Sequence, residues 1–332
     1  MSVRNIFETT TNITPTIIVP EVKTPQIILP NQRQSTFANL GTDVSMARSL
    51  DEALYLSGLD YIVEPHDTFI QKGNEKIQLP TKALIRNTDG HFYANVSQSY
   101  CIAQNRDIFD VLNPIFHEIT IKKMGETSDG MVYAIAAVEP IKILGDTIEP
   151  NLCIQSSHNG KYGLMAAFCL LRLICQNQFS MAFKESPNTI KARHVDKSID
   201  RFDEKMDLLL LISKYIEVFR KNVEKYAETK LTSQQIEKII NECFPIDIDN
   251  MKDYQIERAE EQRNLLINAY NADDNQNFKN SLCGIINAFA DFVTHAPNYR
   301  KTDTIQETNF KKVTFDPRVI QHYIDIALRI AA

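Results

Sequence analysis

Four tight reversals dominate the first half of this chain. Asp89-Gly90, Asp129-Gly130, Gly145-Asp146 and Asn159-Gly160 each separate short, apolar, strand-like segments. Asp, Asn and Gly tolerate the positive φ that a two-residue hairpin turn demands. Links this short join strands only in antiparallel fashion, because a parallel pair needs a crossover of a dozen or more residues. "YIVEPHDTFI", "KALIRNTDGHFYANVS", "HEITIKKMGETSDGMVYAIAAVE" and "KILGDTIEPNLCIQSS" therefore predict an antiparallel sheet. Helices intersperse it. "SMARSLDEALYLSGLD" reads as a helix capped by Ser45 or Ser49 and closed by Gly58, and "RDIFDVLNPIF" as a second.

After about residue 200 the texture turns helical. Met206, Leu209, Leu210, Ile216, Phe219, Val223 and Tyr226 recur at helical spacing. Thr232 and Gln235 stand in capping-box register, and Asp316-Pro317 is a good helix start, within a set of about five helices. The expected fold is α+β: an antiparallel sheet with interspersed helices followed by a helical C-terminal region. The expected organisation is a proline-rich extended arm over 1–44, an α+β core over 45–200 and a helical region over 201–332 packed on that core. Prolines at 15, 20, 25 and 30 bar helix from the arm. Its Ile/Val/Leu triplets suit extended packing of residues 13–30 onto an apolar surface, for instance that of an adjacent subunit.

Composition narrows the classes. No apolar run reaches the roughly 18 residues of a membrane span, and the start of the chain lacks the pattern of a secretory signal. The six cysteines are scattered, with no CxxC, which suits reduced thiols in a cytoplasm and neither a disulfide framework nor a metal site. No glycine-rich phosphate loop, nucleophile elbow or paired metal-ligand spacing occurs. The formal charge is −6, yet residues 151–195 carry five basic side chains against one acid. A locally basic strip in an acidic chain attracts polyanions through its local potential.

The stretch "IQSSHNGKYGLMAAFCLLRLICQNQ" places polar side chains where the pattern says core. Three readings stay open. His158 or His194 with Cys175 could form a thiol nucleophile and its base. Arg86, His158, Lys161, Arg172, Lys191, Arg193 and His194 could line a nucleic-acid groove, with Tyr100 or Tyr162 stacking on bases. Or Cys175 is a small core residue, and Arg172, Gln176 and Asn177 bond backbone carbonyls. His66, His91, His117 and His322 read as ordinary, and His295 as a structural residue at a helix C-terminus.

In order, "GLDYIVE", "ALIRNTDGHFYANVSQSYCIAQNRDIFDVL", "IEPNLCIQSSHNGKYGLMAAFCLLRLICQNQF", "IKARHVDKSIDR" and "SLCGIINAFADFVTHA" resemble the DUF932 family, also called phage/plasmid-like proteins, over roughly residues 45 to 300. The most specific elements are Ser-His-Asp-Gly, where this chain has Asn159 in place of Asp, Arg-x-x-Cys-x-Asn, and a following Arg-His. The resemblance implies a phage, prophage or plasmid origin and an association with DNA. By analogy of layout with single-strand annealing proteins, the expected function is single-stranded DNA binding in annealing or recombination, as a cytoplasmic homo-oligomer without cofactor. The alternatives are a Cys/His-dependent enzyme acting on nucleotides or nucleic acid, and an interaction protein that counters host defence.

Overall fold

The computed structural model describes residues 35–181, 183, 189–192, 208–296 and 305–332. The arm segment 13–30, Arg193 and His194 lie outside the described residues. The chain forms β1 (Thr42–Asp43), α1 (Leu50–Ser57), β2 (Val63–Lys72), β3 (Glu75–Arg86) and β4 (Phe92–Ser97). Then come α2 (Asn105–Phe109) with a 3-10 turn at Asp110–Ile115, β5 (Thr120–Glu126), β6 (Met131–Ala137) and β7 (Ile141–Ile143). β8 (Asp146–Ser157), β9 (Leu164–Arg172), β10 (Asn177–Phe179) and β11 (Thr189–Ala192) complete the strands. The helices that follow are α3 (Leu208–Glu228), α4 (Ser233–Cys243), α5 (Asp253–Tyr270), α6 (Leu282–His295), α7 (Ile305–Thr314) and α8 (Arg318–Ala331). A second 3-10 turn, Asp273–Phe278, joins α5 to α6.

All strand pairs are antiparallel, as the turns require. The main sheet runs β1-β5-β6-β8-β9-β10, with β7 added to β8 and β11 to β9. A smaller sheet, β2-β3-β4, stands beside it. Gly90, Gly130, Gly145 and Gly160 all take positive φ at the four reversals. The local signals behave as their chemistry dictates. The Ser49 hydroxyl accepts the Glu52 N–H at the start of α1, and left-handed Gly58 closes that helix. Thr232 and Gln235 cap α4 reciprocally.

The main sheet is covered on both faces, which is why β6 and β9 read as near-continuous apolar runs and why β8 is buried from Ile148 onward despite its polar residues. Side chains alternate across a strand. Val132, Ala134, Leu152, Ile154, Ala166 and Phe168 enter the larger core, shared with the helical region. Phe168 meets Tyr215 of α3 there, with ring centroids 5.5 Å apart. On the opposite face Tyr133, Ile135, Cys153, Ala167 and Cys169 form a smaller core, closed by Phe37, Leu40, Phe310 and Phe315. Phe310 is fully buried and lies 5.0 Å from the Tyr133 ring. Burying such a side chain contributes about 2–3 kcal/mol, enough to seat the short helix α7 on the sheet.

Candidate functional site

At one end of the main sheet, the β5–β6 and β8–β9 turns are tied together. Asn159, in the β8–β9 turn, donates through Nδ2 to the Asp129 carbonyl at 2.6 Å and accepts the Lys161 N–H. The Ser157 hydroxyl takes the Tyr162 N–H at 2.9 Å and donates to the Tyr162 carbonyl at 3.1 Å. Gly130 has to be glycine: its φ is +86°, and a Cβ there would lie 2.7 Å from Asn159 Nδ2. The polar Ser-Ser-His-Asn-Gly run thus fastens the sheet end, and it aims Tyr162 and Asp129 outward.

Helix α7 docks on this platform through residues four apart. Glu307 accepts from the Ser128 N–H and hydroxyl, at 3.0 and 2.7 Å, and Lys311 Nζ reaches Asp129 Oδ1 at 2.5 Å. The Tyr162 hydroxyl donates to Asp129 Oδ2 at 2.5 Å. Burial opposes ionisation of Asp129, but hydrogen bonds from Lys311, Tyr162 and Thr127 outweigh it and hold the carboxyl at about 2. A depressed folded pKa stabilises above the unfolded value of 3.8 and loses that contribution as pH falls through about 2. Asp129→Asn should therefore melt below the parent at neutral pH. That gap should close as thermal melts are taken down from about pH 4 towards about pH 2.

Between this platform and the α7–α8 corner lies a groove of about 790 Å³. Lys191, Lys311, Lys312 and Arg318 line it, against the carboxylates Asp129 and Asp316, with Tyr162 and Phe315 among its walls. The Arg318 guanidinium holds the Asp316 carboxyl below its usual range, with a smaller contribution from Lys191. Lys191 and Lys312 are exposed.

The other expected site residues are dispersed. His158 is buried, and its Nε2 lies 2.8 Å from Asn105 Oδ1. Asn105 Nδ2 donates to the Leu59 carbonyl, so Oδ1 is the acceptor and His158 Nε2 carries the proton. Its ring packs beside Tyr93, Tyr61 and the network they form with Arg86 and Glu126. Arg86 donates to Glu126 at 2.5 Å and to the Tyr93 hydroxyl at 2.6 Å. Its guanidinium also stacks 4.3 Å from the centre of the Tyr61 ring. Burial raises both tyrosines, Tyr93 to about 12, so they stay protonated donors. This cluster fastens the three-stranded sheet to β5 and borders a cleft of about 500 Å³.

Arg172, expected to meet a phosphate, is committed to partners inside the protein. Its side chain is 3% exposed and bonds Asp146 at 2.6 Å, Asp274 Oδ2 at 3.0 Å and the Asp274 carbonyl at 2.6 Å. No donor face is left for a phosphate, and the residue pins the β7–β8 hairpin to the turn before α6. The expected pairing of Cys175 with His158 fails as well. Arg172 sits opposite Ile148 in the β8–β9 register, while His158 lies ten residues further on, just past the end of β8 and roughly 30 Å away at strand rise. His295 occupies the neighbourhood instead, 3.2 Å from the Cys175 carbonyl and 3.0 Å from Asn177 Oδ1. Burial pushes the Cys175 thiol up to about 12, against the pull of Arg172. In the native protein an alkylating reagent should rapidly label Cys101, the exposed thiol. The five buried cysteines should react only on unfolding. Mass spectrometry of the labelled peptides checks this.

Lys161 is exposed beside the platform, and among the described residues Lys191 and Tyr162 are the expected contacts that line the groove. Sequence reasoning missed Lys311, Lys312 and Arg318. The run "FKKVTFDPR" carries the signal as a basic cluster, in which the Asp316-Pro317 helix start is the more conspicuous feature.

Among the described residues no cluster of three or more His, Cys, Asp or Glu is arranged to hold a metal ion, and no helix is long and apolar enough to cross a membrane. No curated protein and no solved structure matches the chain. A family described as a domain of unknown function, DUF932, matches residues 93–314. That match spans well over half of the 332 residues, from β4 to the end of α7, so the chain belongs to the DUF932 family.

Proposed function

We propose that the protein binds single-stranded nucleic acid, and that the groove between the sheet platform and the α7–α8 corner is where it does so. The observation that carries the reading is the groove lining: four cations and two aromatic side chains in about 790 Å³ of a chain whose net charge is −6. Cations that track phosphates, with aromatic rings for bases, are what sequence-tolerant single-strand binding requires. Such a groove needs no cofactor, and a homo-oligomer would align several of them along one strand, as annealing demands.

An anisotropy titration with a fluorescent single-stranded oligonucleotide at about 50 mM salt tests the reading. Saturable binding is the expected result. Its absence would sink the proposal and leave the interaction-protein alternative. The thiol-enzyme alternative has no observation in its favour, because Cys175 is buried and its neighbours are an ion-paired arginine and a histidine bound to carbonyl groups.

A further inference from the structure

Gln155 also lines the groove, yet it is only 3% exposed, and its Oε1 has no hydrogen-bond partner among the described residues. Its register places it between Tyr133 of β6 and Met165 of β9, at the margin of the smaller core. A buried acceptor left unpaired is costly, so such groups are normally met by a partner or by ordered water. Here the unpaired acceptor belongs to the one amide among the described residues lining a groove whose other polar side chains are four cations, the carboxylates of Asp129 and Asp316, and the hydroxyls of Tyr162, Thr189 and Thr308. A volume of about 790 Å³ lies within the range of small-molecule sites and admits a nucleotide.

Resting on the single-strand reading above, we infer that the groove takes in one unstacked base, and that a base N–H donates to Gln155 Oε1. Phosphates stay outside with the exposed Lys191 and Lys312, while the partly exposed Tyr162 offers a face to the ring. The recognised chemistry is therefore a nucleobase with a hydrogen-bond donor on its edge, in addition to the polyanion.

Thymine isolates that donor, because N3–H is its only one on the base edge. The experiment compares an oligo-dT with the same oligomer methylated at N3, each titrated against the parent protein and against Gln155→Leu over a range of salt. The parent should bind the methylated oligomer roughly threefold to tenfold more weakly, the scale of one neutral hydrogen bond. Gln155→Leu should bind the two oligomers alike, with an unchanged salt slope. Equal binding of both oligomers by the parent, with salt dependence intact, would overturn the base contact and leave backbone binding standing. Retention of the discrimination by Gln155→Leu would overturn it as well. If neither oligomer binds at low salt, the single-strand reading itself fails. The comparison on the parent chain needs no variant, so a folding defect in Gln155→Leu does not blunt it.

Discussion

Arg172→Met should lower stability by about 3–5 kcal/mol, the largest single-residue effect expected outside the apolar cores. Removing one partner of a buried ion group leaves the others charged and unpaired, and that penalty exceeds the worth of the contact itself. Here two aspartates would be stranded. The Asp274 side chain is 6% exposed and Asp146 16%. Methionine matches the arginine stem in length and apolarity, so lost packing contributes little. Changing Asp274 to Asn in the same chain should restore part of the loss, because one of the stranded charges disappears. Urea unfolding of the two single variants and the double variant measures this coupling. A loss below about 1 kcal/mol in Arg172→Met would mean that the arginine is not the interior clamp described here. At temperatures where the variant stays folded it should bind a single strand as the parent does, which separates its role from that of the groove.

The hairpins were legible because each is decided locally. A dipeptide such as Asp129-Gly130 or Asn159-Gly160 needs positive φ, and nothing distant has to agree. The caps of α1 and α4 were legible for the same reason. The site was not. Lys191 lies more than a hundred residues from Lys311 and Arg318, and only the seating of Phe310 and Phe315 on the sheet brings them to one groove. Arg172 illustrates the opposite failure. A cation inside an apolar run signals a specific partner, but the partners are Asp146 and Asp274, 26 and 102 residues away, and no local pattern says whether a protein carboxylate or a ligand phosphate supplies the charge. His158 likewise meets Asn105 across 53 residues. Asn159-Gly160 marks a turn from its own chemistry, while the use of Asn159 as a clamp beneath Tyr162 depends on the β5–β6 turn beside it.

The second large effect concerns charge. Reversing Lys191, Lys312 and Arg318 together to Glu should weaken single-strand binding by roughly a hundredfold or more, at ~1 kcal/mol or more for each reversed side chain near a phosphate. Lys311 is left in place because its pair with Asp129 holds α7 to the sheet. Lys191 is exposed, and the Arg318 side chain is 86% exposed even in its pair with Asp316, so the variant should keep its melting temperature within a few degrees.

The salt dependence of that binding tests the central claim most directly. Each neutralised phosphate on a single strand contributes about −0.7 to the slope of log K against log salt. Lys191, Lys312 and Arg318 then predict a slope of roughly −2 for the parent, or a loss of about fifteenfold to twentyfold between 50 and 200 mM salt. For the triple charge reversal the slope should collapse towards zero together with the affinity. The same steep slope in both proteins would place the nucleic-acid contact elsewhere on the molecule, and an absence of binding by the parent at 50 mM would contradict the account as a whole.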